Sequence, residues 1–456
     1  MAYISFNPWL QREEGLFQEM TDSELASILD EADDAFRQWR NVNKEARCAS
    51  LKELGRNLLS RRQELAEMMA SEMGKPVTEG LAEIDKCALL CSWYAENAPQ
   101  ILKPERRASS ACESYICHEP QGIILGIMPW NFPFWQVFRF IVPAFAGGNA
   151  ALLKHASNVP SCALAIEEIV IASGYPSGLF RTLFPSHSQV STLIADRRIR
   201  GVSLTGSNIA GKKIASVAGE HLKKMVMELG GSDPFIVFPD APVDKAVKAA
   251  LFSRFLNGGQ SCIAAKRIIV HKDIYDEFRG KFLAAAMALR AGDPLDPQTE
   301  VGPMVSVAAA DELERQLSAS IRQGARLLCG GRAGEERPAL FIPAVVEDVP
   351  LSSPLAGEET FGPVAPLFSF TTPVEAVKMA NDTPYGLGAA IWTTDVRLAT
   401  DLAHEIDTGT VAINGFVKSE PGLPFGGVKE SGYGRELAVE GLREFLNIKT
   451  ISIFEP

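Results

Sequence analysis

Apolar positions in the first hundred residues recur at helical spacing. Thr21-Asp22-Ser23-Glu24 has the form of a capping box, and Leu25, Ile28, Leu29, Ala32, Phe36 and Trp39 follow on one helical face. Further helices are predicted to about Met73, where Gly74-Lys75-Pro76 stops them, and again from about Thr78 to Asn97. Residues 98–107 read as a linker, and 109–119 alternate roughly as an exposed antiparallel arm would. From Ile123 onward apolar strands alternate with helices: strands at 123–127, 150–153, 179–184 and 201–204, helices near 160–173, 188–196 and 208–218. That alternation predicts a parallel, doubly wound sheet. A second such series begins at Phe235-Ile236-Val237-Phe238 and continues past Asn414. Residues 123–153 are apolar enough to mimic a membrane span, with Arg139 as their only charge. Pro129, Pro133, Pro143 and the Gly147-Gly148-Asn149 turn would break such a span, so the stretch is assigned to the core of a soluble protein with no membrane partner.

Composition narrows this only a little. A length of 456 residues suggests about two to three domains at roughly 150 residues each. A hydrophobic fraction of 46% supports large cores, and a net charge of −11 without a basic stripe argues against nucleic acid as a partner. The eight cysteines include no Cys-x-x-Cys, and Cys87 and Cys91 fall at helical spacing without further metal-ligand candidates nearby. Reduced thiols, no metal and a cytoplasmic location are expected. Residues 1–10 lack the basic region and apolar core of a secretory leader.

The chemistry centres on Asn257-Gly258-Gly259-Gln260-Ser261-Cys262, between a predicted amphipathic helix and the strand-like run Lys266–Val270. Paired glycines permit a tight turn and close approach to a ligand. A cysteine there could present a thiolate, and it could equally be a small buried residue. Glu228 in Met227-Glu228-Leu229-Gly230-Gly231 offers a carboxylate, and Asn131 in Pro129-Trp130-Asn131-Phe132-Pro133 a lone amide donor. Thiol, base and amide donor are the parts that acyl-type chemistry requires. Leu204-Thr205-Gly206-Ser207 closes a strand and opens a helix, where backbone amides can meet a phosphate. Gly206 to Lys213 narrowly misses a P-loop because Lys213 stands where a Mg²⁺-binding hydroxyl belongs. Lys154 ends a strand at the level where α/β sheets bind ligands, and no Gly-x-Ser-x-Gly elbow is present.

Together PWNFP (129–133), LLKHAS (152–157), LTGS (204–207), MELGG (227–231), GGQSC (258–262), EETFGPV (358–364) and PFGGVKESGYGRE (424–436) resemble the aldehyde dehydrogenase superfamily, in order and spacing, over nearly the whole chain. The resemblance implies two doubly wound α/β domains plus a small β bridging arm that serves oligomerisation. The cofactor domain would comprise 1–105 and 121–230, the catalytic domain 231–430, and the arm 106–120 with 431–456. It also implies a homodimer or homotetramer, and NAD or NADP as cofactor. Cys262 would be the nucleophile, Asn131 and the Cys262 N–H the oxyanion hole, and Glu228 the base that hydrolyses a thioester, which argues against a CoA-acylating enzyme. Pro129, Trp130, Lys154, Ser157, Gly206, Ser207, Glu359 and Phe361 would bind the cofactor. Ser157 stands where strictly NAD-preferring members carry an acid, so a 2′-phosphate is not repelled. Residues 179–185 lack the usual Asn and Gly of the cofactor strand.

Among family branches the chain most resembles the succinate-semialdehyde dehydrogenases. Arg139 matches one carboxylate-binding arginine and Ser419 the serine five residues before the Pro-Phe-Gly-Gly run. The branch's second arginine falls at Leu256, and Arg254 is not at the matching position. Ala264 replaces a cysteine often found there, so no redox disulfide is expected. The expected substrate is succinic semialdehyde, with glutaric semialdehyde or a neutral aldehyde as alternatives. An isolated buried Arg139 also needs an anion, met either by substrate or by an internal Asp or Glu. Other readings are a Cys-dependent esterase and a crystallin-like structural role.

Overall fold

The computed structural model describes residues 3–455. Its first sheet holds β5 (Ile123–Met128), β6 (Ala150–His155), β7 (Phe180–Leu183), β8 (Ile199–Thr205) and β9 (Lys224–Glu228), ordered β9-β8-β5-β6-β7 and all parallel. Both faces are covered by helices, and β5 reads Ile-Ile-Leu-Gly-Ile-Met with nearly every residue buried, as a doubly covered parallel strand requires. The chain moves outward from β5 to β7, then returns to β8 on the other side of β5. The crevice at this reversal, beyond the strand C-termini, is where open α/β sheets receive ligands. Pro129-Trp130-Asn131 leaves β5 there and Gly206-Ser207 leaves β8.

Helix Trp135–Gly147 is buried along its whole length. It continues through Pro143 and is stopped at Gly148, whose φ of 95° suits a glycine C-cap. The expected break at Pro143 therefore does not occur; the apolar run ends because the chain turns left-handed one helix turn later. Gly126 of β5 lets the helix approach, since a Cβ there would lie 2.4 Å from the Phe140 ring. Thr21 caps the first helix, Asp22–Trp39, with the reciprocal Glu24 contact that its sequence predicts. Helix Val77–Ile101 runs past Asn97 into the span read as linker.

The second sheet comprises β10 (Asp233–Val237), β11 (Ala265–His271), β12 (Arg326–Arg332), β13 (Phe341–Glu347), β14 (Val364–Phe370), β15 (Gly388–Trp392) and β16 (Thr410–Ile413). Its order is β12-β13-β14-β11-β10-β15-β16, parallel except for β12. Apolar clusters fill both of its faces. A third sheet is antiparallel: β3 (Glu105–Arg106), β4 (Glu113–Pro120) and β18 (Leu446–Ile453), with Leu446 opposite Pro120 and Ile453 opposite Glu113. The C-terminal span assigned to the arm divides. β17 (Gly432–Tyr433) joins the edge of the first sheet on β9, and only β18 pairs with β4.

An N-terminal hairpin, β1 (Tyr3–Asn7) with β2 (Arg12–Phe17), went unforeseen because β2 is almost wholly solvent-facing and shows no apolar alternation. It is tied to the first sheet by the Ile4 N–H, which donates to the Ser157 carbonyl at 2.9 Å. No helix among the described residues is long and apolar enough to cross a membrane.

Candidate active site

Two cavities share Cys262 and Gln136 in their walls. One, of about 410 Å³, is lined by Glu79, Lys86, Trp135, Arg139, Leu256 and Ser419 among others. The other, of about 300 Å³, is lined by Pro129, Trp130, Asn131, Gly206, Glu359 and Phe361 and sits at the sheet reversal. The cysteine is thus reachable from both sides.

Its placement begins in helix Val243–Phe255, which ends before three consecutive left-handed residues, Asn257 (φ 55°), Gly258 (φ 60°) and Gly259 (φ 70°). Gly259 passes so near the Gly362 carbonyl that a Cβ would lie 2.4 Å from it, which explains the glycine. Side chains lock the turn. Asn257 Nδ2 donates to the Asn131 carbonyl at 2.8 Å, and Gln260 Oε1 accepts from the Val305 N–H at 2.9 Å. Beneath the nucleophile, Lys266 Nζ donates to the Cys262 carbonyl at 2.7 Å and pairs with Glu359 Oε1 at 3.0 Å. Burial pushes the Cys262 thiol up to about 12, with Lys266 and Arg139 acting in the opposite direction, so the resting thiol is neutral.

Asn131 lies beside this turn with Nδ2 donating to the Gln260 carbonyl at 3.1 Å. An amide nitrogen carries two hydrogens, so one remains for a ligand. The Cys262 N–H itself donates to no group of the described residues. Glu228 ends β9 and is buried, both carboxylate oxygens lacking a hydrogen-bond partner among the described residues. Burial and the nearby Glu436 raise its pKa well above the usual range, opposed by Arg139 and Arg435. Its Oε1 packs against Gly426, where a Cβ would come within 2.7 Å, and the residue lines neither cavity.

Arg139 does line the larger cavity, but its charge is met from within. Nε lies 2.8 Å from Glu436 Oε2, Nη2 donates to Gln136 Oε1, and the guanidinium sits 4.9 Å over the Phe425 ring. The internal anion is therefore Glu436, nearly three hundred residues away in sequence. Ser419 is buried at the end of the same cavity, accepting from Lys86 Nζ at 2.9 Å and Trp135 Nε1 at 3.0 Å. Leu256 lines this cavity as its register predicts. Arg254 does not: it is fully buried and donates to the Thr360 carbonyl at 3.1 Å and to the Gly362 carbonyl, bracing the loop that carries Phe361.

The smaller cavity gathers Pro129, Trp130, Gly206, Ser207, Glu359 and Phe361. Ser207 caps helix Asn208–Glu220, and space is open where a Gly206 Cβ would stand, its nearest neighbour being Leu204 at 3.9 Å. A phosphate can reach this helix start, and the edge-on pair Trp130–Phe361 at 5.7 Å offers an aromatic wall for a flat ring. These features fit a dinucleotide. Lys154 and Ser157 lie outside that cavity at the end of β6. Lys154 makes no ion pair among the described residues and sits 5.7 Å over the Tyr3 ring, while Ser157 is exposed. Lys266, Gln136, Lys86 and Glu436 were not anticipated as parts of the site. Lys266 carried a sequence signal, a charge set into the apolar strand four residues after the cysteine, and Glu436 closes the motif at 424–436.

The aldehyde dehydrogenase family model matches residues 2–451. A protein of Synechocystis named a probable NADP succinate-semialdehyde dehydrogenase is 44% identical over 99% of this chain and all of its own. The NADP succinate-semialdehyde dehydrogenase 1 of Mycobacterium tuberculosis is 43% identical, again over 99% of this chain and all of its own. A crystal structure of succinic semialdehyde dehydrogenase from Streptococcus pyogenes with NADP⁺ superposes with a TM-score of 0.97 at 38% identity, covering both chains fully.

Proposed function

This chain belongs to the aldehyde dehydrogenase family, and from that premise we propose that it oxidises succinic semialdehyde to succinate with NADP or NAD. The observation that carries this reading is a single cysteine in the common wall of two cavities. One cavity ends in a helix N-terminus and an aromatic wall, the other in Ser419 among cationic side chains. The similar proteins named above support the substrate and the cofactor.

Cys262 Sγ gives its proton to solvent and adds as the thiolate to the aldehyde carbon. The oxyanion that forms would be held by the unused Asn131 amide hydrogen and the Cys262 N–H, each worth about 3–4 kcal/mol in such a site. A nicotinamide dinucleotide held by Trp130, Phe361, Glu359 and the helix start at Gly206 and Ser207 would supply the hydride acceptor at this carbon. An acyl group then remains on Sγ as a thioester. Glu228 would take a proton from the hydrolytic water, which requires its side chain to turn from Gly426 toward Cys262. Glu359 and Lys154 would hold ribose hydroxyls, and Ser157 with Lys154 leaves room for a 2′-phosphate.

The larger division follows the same family pattern: 1–105 with 121–230 for the cofactor and 231–430 for catalysis. The arm leaves Ile448, Ile453 and Phe454 exposed, an apolar edge suited to a second subunit in a dimer or tetramer, with the enzyme in the cytoplasm. A panel of aldehydes assayed with NADP and NAD in parallel tests the reading. Cofactor reduction fastest with succinic semialdehyde supports it. Ester hydrolysis without cofactor reduction would instead favour the esterase alternative.

A further inference from the structure

The larger cavity, which Leu256 also lines, is walled by one stripe of helix Val77–Ile101 in which Glu79, Ala82, Glu83 and Lys86 recur at helical spacing. Lys86 is the odd member. It is partly buried, its Nζ sits 4.1 Å over the Trp135 ring and donates to Ser419 Oγ at 2.9 Å, and it forms no ion pair among the described residues. The acids around it are already engaged. Glu83 pairs with Lys75 and accepts the Phe134 and Trp135 N–H groups, both at 2.9 Å, and Glu420 pairs with Lys418. Burial and the neighbouring Arg139 push the ammonium down to about 8, which is the mark of a cation without its counter-charge.

Charge around the cavity end then sorts simply. Arg139 is balanced by Glu436, whereas Lys86, with Glu83 and Glu420 acting on it only from a distance, makes no ion pair among the described residues. Donors sort the same way. Ser419 Oγ already accepts from Lys86 and Trp135, which leaves its own proton free to point outward, and Lys86 keeps two of its three N–H bonds. A neutral aldehyde tail would leave this ammonium buried and uncompensated, whereas one carboxylate would meet it.

We propose that Lys86 is a specificity-determining residue that binds the carboxylate of the semialdehyde together with Ser419, supplying from this helix the second cation that Leu256 does not provide. The inference rests on the succinic semialdehyde reading and adds a residue to it. It is tested in the full-length enzyme by measuring kcat and KM for succinic semialdehyde and for butanal in wild type, Lys86→Met, Lys86→Gln and Lys86→Arg. Lys86→Met and Lys86→Gln are expected to raise KM for the semialdehyde about tenfold more than for butanal, the scale of one lost charge-assisted hydrogen bond. Lys86→Arg is expected to restore most of the difference, because charge rather than shape is at stake. Butanal turnover reports that each variant is folded, and Lys86→Gln substitutes if the methionine variant is not. If wild type prefers the semialdehyde but both uncharged variants shift the two substrates alike, Lys86 is structural and this inference falls alone. If wild type shows no preference for the semialdehyde, the substrate reading falls and takes Lys86 with it.

Discussion

Arg139→Leu removes one half of a buried pair whose side chains are 2% and 5% exposed, with Nε and Oε2 2.8 Å apart. Leaving a buried charge without its partner costs about 3–5 kcal/mol, far more than the pair contributes relative to apolar residues of the same shape. Glu436 can relieve the penalty only by taking up a proton, and burial already raises its pKa. A carboxyl whose folded pKa lies above its unfolded value of about 4.3 binds more protons when folded, so its contribution falls as pH rises through that interval. The deficit of Arg139→Leu relative to wild type should therefore be small near pH 5 and grow toward pH 8. Denaturant unfolding of the cofactor-free protein at several pH values, followed by tryptophan fluorescence, measures it. Adding Glu436→Gln should recover most of the loss at pH 8 and flatten the pH dependence. A loss under about 1 kcal/mol at pH 8, or a double variant no more stable than the single one, would refute the assignment of this pair as mutually dependent.

Three further outcomes follow from the site. Inactivation of the cofactor-free enzyme by iodoacetamide should quicken about tenfold per pH unit from pH 7 to 9, since a thiol pushed up to about 12 gains thiolate across that whole range; a plateau below pH 8 would contradict it. Ser157→Glu should lower the ratio of kcat/KM with NADP to that with NAD about tenfold or more by setting a carboxylate against the 2′-phosphate, and an unchanged ratio would show that position 157 does not read that group. Cys262→Ala should abolish oxidation while nucleotide still binds, measurable by calorimetry, because the helix start at Gly206 and Ser207 is untouched; reduced cofactor formed by this variant would remove Cys262 from the mechanism.

Much of this molecule was legible along the chain where signals are local. Strands β5 to β8 of the first sheet were foreseen to within a few residues because doubly covered parallel strands are almost purely apolar, while β9 was not, and the Asn257–Cys262 turn showed itself through its paired glycines. Contacts between distant segments were not legible. Nothing near Arg139 announces Glu436, and Lys86, between Asp85 and Cys87 on a helix rich in acids, looks like a solvated position until Ser419 is brought beside it. The hairpin of β1 and β2 escaped for a different reason: β1 alternates over only five residues, β2 faces solvent, and what seats the pair, the Ile4 bond to Ser157 and the Tyr3 and Phe17 rings on Phe184, lies far away in sequence.

The central claim is that oxidation proceeds through an acyl group on Cys262 that Glu228 then releases. Glu228→Gln keeps the size of the side chain and removes its ability to take a proton from water. Mixed rapidly with succinic semialdehyde and NADP, this variant should form about one reduced nicotinamide per active site and then stall, as expected when acyl-enzyme accumulates. Acid quenching and peptide mass spectrometry of the same mixture should find a succinyl group on the peptide carrying Cys262. Steady turnover at the wild-type rate, or a burst with no acyl group on Cys262, would contradict the account.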